Sequence, residues 1–171
     1  KTFPNSIVLY NLCGAAHAGL HQYEKAIEYY QNAININPDF AEAYNNMGIS
    51  LRNKGDYNQA IKSYQKAIKI NPNFANAYNN LGNVFRIRGD TASAIKNFKK
   101  SLKVNPDSAE TYNNLGLAQL DDEQTKEAIL NFKSAIQISP ELPEVHVNLG
   151  NGQKNLGHLN AAINSYEKAL T

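Results

Sequence analysis

Residues 41–74 read AEAYNNMGISLRNKGDYNQAIKSYQKAIKINPNF. Tyr44, Met47, Gly48 and Leu51 fall three and four places apart, which is one face of a helix. Gly55-Asp56 breaks that pattern, with glycine ending one helix and aspartate preceding the next. Ala60, Ile61, Tyr64, Ala67 and Ile68 rebuild a face at the same period. Asn71-Pro72 stops it, because proline bars the helical shape to the residue before it. The stretch predicts two antiparallel helices joined by short turns. Gly48 and Ala60 have almost no side chain and mark a close helix crossing. Tyr44 and Tyr64 supply the bulk that fills the gaps between neighbouring helix pairs.

The pattern returns every 34 residues along the 171-residue chain. Tyr10, Tyr44, Tyr78 and Tyr112 recur at that step, and His146 takes the fifth place. Gly14, Gly48, Gly82, Gly116 and Gly150 keep a second register, and Ala26, Ala60, Ala94, Ala128 and Ala162 a third. Pro38, Pro72, Pro106 and Pro140 close the repeats. A unit of this size cannot bury a core alone and must lean on its neighbours. The expected fold is all-α, a solenoid of about five stacked helix-turn-helix repeats. Helices are predicted over 7–20, 23–36, 41–54, 57–70, 75–88, 91–104, 109–121, 125–138, 143–156 and 159–170. The repeats run 7–40, 41–74, 75–108, 109–142 and 143–171, the last truncated, and together form one continuous domain. Residues 1–6 read as the tail of a preceding repeat, since Pro4 lies 34 places before Pro38. The fourth repeat lacks the inter-helix glycine and carries Glu123 there, and Gly152 weakens a helix of the fifth by roughly 1 kcal/mol relative to alanine.

Composition narrows the partners. A net charge of +2 is too small to argue for nucleic acid, and no apolar run is long enough for a membrane span. One cysteine, Cys13, excludes an internal disulfide framework and fits a reducing, cytoplasmic compartment. None of the 25 asparagines begins an Asn-x-Ser/Thr sequon. The second helices of repeats two and three carry Lys62, Lys66, Lys69, Lys96, Lys99, Lys100 and Lys103 without an acid. That stripe reads as a solvated outer face, with no aromatic platform for single-stranded nucleic acid.

The recurring aromatic, Leu-Gly, Ala, aromatic, small residue and Pro resemble the tetratricopeptide repeat over essentially the whole chain. In the third repeat these are Tyr78, Leu81-Gly82, Ala94, Phe98, Ser101 and Pro106. The first repeat departs most, with Cys13 and His17 at core places. The resemblance implies a right-handed superhelix whose first helices line a concave surface that binds peptides or proteins.

No catalytic constellation is present, and no cofactor or metal is expected. His17 and His21 stand four apart, a spacing that could hold a metal, but His21 falls at the helix end and no third ligand recurs nearby. Cys13 at a core place reads as an inert buried thiol. The run Asp121-Asp122-Glu123 reads as a solvated turn.

One polar set recurs in register. Asn46, Asn80, Asn114 and Asn148 repeat at the 34-residue step, preceded by Asn45, Asn79 and Asn113, with Asn11 in the first repeat. They lie on first helices, away from the packing aromatic. Asn83 and Asn151 extend the face by a turn, and Arg52, Arg86 and Lys154 by another. A carboxamide offers two donors and an acceptor, which suits an extended peptide backbone of any sequence. With helices about 8–10 Å apart and a strand rising about 3.3 Å per residue, one rung meets a peptide roughly every third residue. Duplication of a harmless asparagine is the plain alternative, although asparagine is a mediocre helix former. The ladder resembles the repeat array of O-linked N-acetylglucosamine transferases, in which such asparagines hold substrate peptide; Leu12 breaks it in the first repeat. A carboxylate clamp for chaperone C-termini fits poorly, with Asn79, Glu144 and Asn148 at places that require basic residues.

The function expected is a non-enzymatic scaffold binding peptide or protein in an asparagine-lined groove, as a fragment of a longer protein. Two alternatives stand beside it. One is the substrate-recruiting array of a glycosyltransferase, sulfotransferase or oxygenase, which the family resemblance implies. The other is a scaffold that associates end to end with its own copies. The fifth repeat, with one neighbour, is expected to leave Leu149, Ala162, Tyr166 and Ala169 partly exposed.

Overall fold

The computed structural model describes residues 6–170. Among them are ten helices: α1 (Ile7–Gly19), α2 (Tyr23–Ile36), α3 (Ala41–Lys54), α4 (Tyr57–Ile70), α5 (Ala75–Ile87), α6 (Thr91–Val104), α7 (Ala109–Asp121), α8 (Thr125–Ile138), α9 (Pro143–Asn155) and α10 (Leu159–Lys168). Each end falls within two residues of its sequence expectation. The proposed tail of a preceding repeat lies outside the described residues, apart from Ser6. Ser6 caps α1 by accepting from the Leu9 backbone N–H at 3.3 Å.

Two compact units divide within α5, at 1–84 and 85–171. In the first, Ala33, Ile34 and Ala43 form a buried cluster with Tyr10, Phe40, Tyr44 and Met47 packed against it, joining α2 to α3. In the second, Ile95 and Phe98 of α6 meet Leu115 and Ala118 of α7, and Phe132 of α8 meets Val145 and Leu149 of α9. Each cluster joins one helix pair to the next, as expected of repeats that cannot bury a core alone.

The small-residue register has a sharper cause than a close helix crossing. Gly14, Gly48, Gly116 and Gly150 each carry an aromatic ring of the following helix: Tyr30, Tyr64, Phe132 and Tyr166. A β-carbon on any of the four would sit 2.5–2.6 Å from the ring's Cε1. Tyr64 therefore fills its own repeat rather than a gap between repeats.

The turn between paired helices needs a left-handed residue. Gly55 takes it at φ 88°, while Glu123 at φ 59° and His21 at φ 57° hold the same register with a side chain. The Asn-Pro links form local turns: the side-chain oxygens of Asn37, Asn71 and Asn105 accept the backbone N–H groups of Asp39, Asn73 and Asp107 at 3.0, 3.0 and 3.4 Å.

Three expectations change. Cys13 is exposed, because nothing among the described residues covers that side of α1, where Leu9 and Leu12 are exposed too. Leu149 and Ala162 are buried, since α8 supplies the cover that Leu149 needs; Tyr166 and Ala169 are partly exposed. Gly152 is buried with a would-be β-carbon 3.0 Å from Ile129 Cγ1, so it admits the α8 side chain as well as weakening α9.

Candidate functional site

The ladder asparagines sit mid-helix on α1, α3, α5, α7 and α9, and they bond to one another. Asn80 Nδ2 donates to Asn45 Oδ1 at 3.0 Å, Asn45 Nδ2 to Asn46 Oδ1 at 3.3 Å, and Asn46 Nδ2 to Asn11 Oδ1 at 3.2 Å. This is an unbroken relay of carboxamides across three first helices of the compact unit 1–84. In the other unit, Asn148 Nδ2 donates to Asn113 Oδ1 at 2.9 Å. In each inter-repeat bond the donor stands in the column of Asn46 and Asn80, which Asn148 fills in repeat five, and the acceptor lies 35 places earlier.

The paired spacing explains the geometry. Two adjacent helix positions point about 100° apart, so one asparagine reaches back to the preceding helix while its neighbour receives from the next. Asn45 and Asn79 are buried and stand behind the surface. Asn11, Asn46, Asn80, Asn83, Asn113, Asn114 and Asn148 are half-buried, and Asn151 is exposed. A carboxamide that gives one N–H to a rung keeps a second N–H and acceptor capacity.

The outer positions behave differently. Asn151 accepts from Tyr166 Oη at 2.8 Å. Arg86 is held by Asp121 at 2.7 Å, and Thr91 Oγ1 donates to Asp122 at 3.0 Å. The acidic run is thus tied to α5 and α6 rather than merely solvated. Arg52 turns along its own helix to Asn53 Oδ1 at 3.3 and 3.2 Å.

The histidine pair divides. His17 Nδ1 meets Gln22 Oε1 at 2.8 Å and its ring stacks on Tyr29, whereas His21 Nδ1 meets Tyr23 Oη at 2.8 Å. Among the described residues no group of three or more His, Cys, Asp or Glu side chains is placed to hold a metal ion. No described helix is long and apolar enough to cross a membrane.

Several solved structures share this architecture. MamA from Desulfovibrio magneticus is 26% identical with a TM-score of 0.85, covering 96% of this chain and 93% of that one. PilF from Pseudomonas aeruginosa is 18% identical with a TM-score of 0.89, covering 96% and 75%. YrrB, described as a TPR protein with an unusual peptide-binding site, is 18% identical with a TM-score of 0.76, covering 97% and 86%. No curated protein matches the chain by sequence. Family models for the TPR repeat match residues 14–55, 50–85 and 82–122, and those for the tetratricopeptide repeat match 109–142 and 143–171. The chain belongs to the tetratricopeptide repeat family.

Proposed function

We propose that the chain is a scaffold that binds peptide or protein along the asparagine face of its first helices. The relay Asn80, Asn45, Asn46, Asn11 carries the reading. It holds carboxamides at fixed orientation before a ligand arrives, so less side-chain entropy is lost on binding. The half-buried members then offer their remaining donors and acceptors to an extended backbone. YrrB's peptide-binding site supports the idea that this architecture accommodates peptide. The asparagine array of O-linked N-acetylglucosamine transferases is the proposed parallel, resting on these residues alone. The repeats 7–40, 41–74, 75–108, 109–142 and 143–171 act as the proposed modules, each supplying one rung. The cytoplasm is the proposed setting, because an exposed lone thiol at Cys13 persists best in a reducing compartment.

Self-association is a second reading, carried by exposed Val8, Leu9 and Leu12 on α1 and by exposed Leu159 and Ile163 on α10. Light scattering across concentration tests it, with a constant monomer mass counting against it.

Replacing Asn80 and Asn114 with alanine together tests the first reading. Each hydrogen bond lost to a peptide weakens binding by about 0.5–1.5 kcal/mol. The bond from Asn80 to Asn45 adds a second effect, since stability falls too and the buried Asn45 oxygen loses its donor. Affinity is therefore read for a peptide selected on an array, at a temperature where the variant is fully folded. Unchanged affinity alongside lowered stability would mean that the rungs serve the fold alone.

A further inference from the structure

Neighbouring repeats meet through the same two half-surfaces each time. In α8, Ile129, Phe132 and Ala135 cluster with Val145 and Leu149 of α9. Ile129 Cγ1 also lies 3.0 Å from the β-carbon place of Gly152. Ile95 and Phe98 of α6 meet Leu115 and Ala118 of α7 in those columns. Ala33 and Ile34 of α2 cluster with Ala43 of α3, and Met47 packs against them. The covering helix brings isoleucine, an aromatic and a small residue, and the covered helix offers a face at i, i+4 and i+7.

Each half-surface also occurs without its counterpart among the described residues. On α1 the covered columns hold Leu9, Cys13 and Ala16, which are all exposed, Leu9 by 47%. Their counterparts on α9, Val145, Leu149 and Gly152, are buried. At the end of α10 the covering columns hold Ile163, Tyr166, Ala169 and Leu170. Ile163 is 53% and Leu170 88% exposed, whereas Ile129 is buried and Ile136 half-buried at the same places of α8. No Asp, Glu, Lys or Arg stands on α1, so no fixed charge opposes an apolar cover.

We propose that a second copy of this chain is the partner of the α1 face, with the end of α10 in one copy packing on α1 of the next as α8 packs on α9. This rests on the self-association reading above and adds its polarity and its residues. Ile163 covers Ala16, and Ala169 and Leu170 meet Leu9 and Cys13. The occupant follows from continuity, because the contact extends an interface that the chain already builds between its own repeats, with the same columns on both sides. Removal of apolar surface from water drives it. The two faces differ, so the contact is heterologous and each added copy carries a free face for another. No peptide link tethers the halves across copies, so the contact depends on concentration.

The test uses the 171-residue chain, with light scattering to read mass and the alkylation rate of Cys13 by iodoacetamide to read cover of the α1 face. Mass should grow with concentration past that of two copies, and alkylation should slow about threefold or more as it does. Leu9→Glu spoils one face and Ile163→Glu the other. Both places are exposed, so helicity and the thermal midpoint of the dilute variants should match the parent. Each variant alone should stay monomeric, whereas an equimolar mixture should form dimers and nothing larger, through the one face that each retains. A constant monomer mass for the parent, with Cys13 alkylated equally fast throughout, overturns both this pairing and the self-association reading and leaves the α1 face to a different partner. Association of the parent that persists in either variant alone, or a mixture that stays monomeric, overturns the pairing while self-association stands.

Discussion

Repeats two and five seat a tyrosine ring on the same glycine, and the two rings end differently. Tyr64 rests on Gly48, is wholly buried, and leaves its Oη without a partner among the described residues. Tyr166 rests on Gly150, is half-buried, and donates from Oη to Asn151. The residue in the register of Asn151 is Ile49, which has no acceptor in its side chain. One repeat gains apolar burial and strands a hydroxyl, while the other satisfies the hydroxyl and gives up burial. The repeated columns set where the ring goes, and a residue outside them decides whether its polar end is content.

The largest effect should separate the two glycines. Gly48→Ala places a β-carbon 2.6 Å from Tyr64 Cε1, and the enclosed ring cannot retreat. A loss of about 1–3 kcal/mol is expected in chemical denaturation. Gly150→Ala creates the same overlap with Tyr166, but that ring borders solvent and can yield. Its cost should be clearly smaller, with local loss of amide protection confined to 143–170. Equal costs would break the contrast in ring freedom.

Removing the hydroxyls should give opposite signs. Tyr64→Phe deletes a stranded buried oxygen and should stabilise by about 1 kcal/mol. Tyr166→Phe gives up a hydrogen bond and should destabilise by about 0.5 kcal/mol, the low end for a partly exposed pair. Burial pushes the Tyr64 phenol well above its ordinary value of 10.0, with Arg52 pulling weakly the other way. The unfolded chain ionises first, so this tyrosine contributes stability below about pH 10 that is lost as the pH rises further. Thermal melts from pH 8 to 11 should fall less steeply for Tyr64→Phe than for the parent. Parallel slopes would remove burial of the phenol as the cause.

The helix pairs were legible because glycine, alanine, aromatic and proline columns repeat, and each column answers a local steric need. The ladder was legible only as a column of asparagines. That its members bond to each other depends on the distance between neighbouring helices, which a single helical face does not reveal. Cys13 and Leu149 depart from expectation for a related reason: burial depends on other helices, and among the described residues none covers Cys13 while α8 covers Leu149. His21 reads in the sequence as a helix end, and only its register with Gly55 marks the left-handed turn it holds.

That shared register gives the next contrast. Gly55 and Gly157 adopt the turn without a side chain, whereas Glu123 holds it at φ 59°. Glu123→Gly should stabilise by up to about 1 kcal/mol, offset by the freedom glycine adds to the unfolded chain. The thermal midpoint measures it, and a drop would show that Glu123 makes a contact worth more than the strain.

The smallest effect lies at the start of the second helices. Asp56 caps α4 and Asp90 caps α6, accepting from Gln59 N–H at 3.2 Å and Ser93 N–H at 3.0 Å. His158 holds that register in repeat five and makes no side-chain cap bond. The Ser93 backbone N–H, followed by its side chain, holds the Asp90 carboxyl below its ordinary value of 3.8. A carboxyl lowered in the folded state contributes stability that is present above the unfolded value and lost as the pH falls through the folded one. His158→Asp should therefore import a cap worth about 0.5 kcal/mol at neutral pH, together with an acid-labile character that the parent lacks at α10. Hydrogen exchange at 159–168 should slow in the variant at pH 6, and the gain should shrink on acidification below pH about 4. Protection that persists undiminished in acid would mean that the new residue acts by something other than its ionised cap.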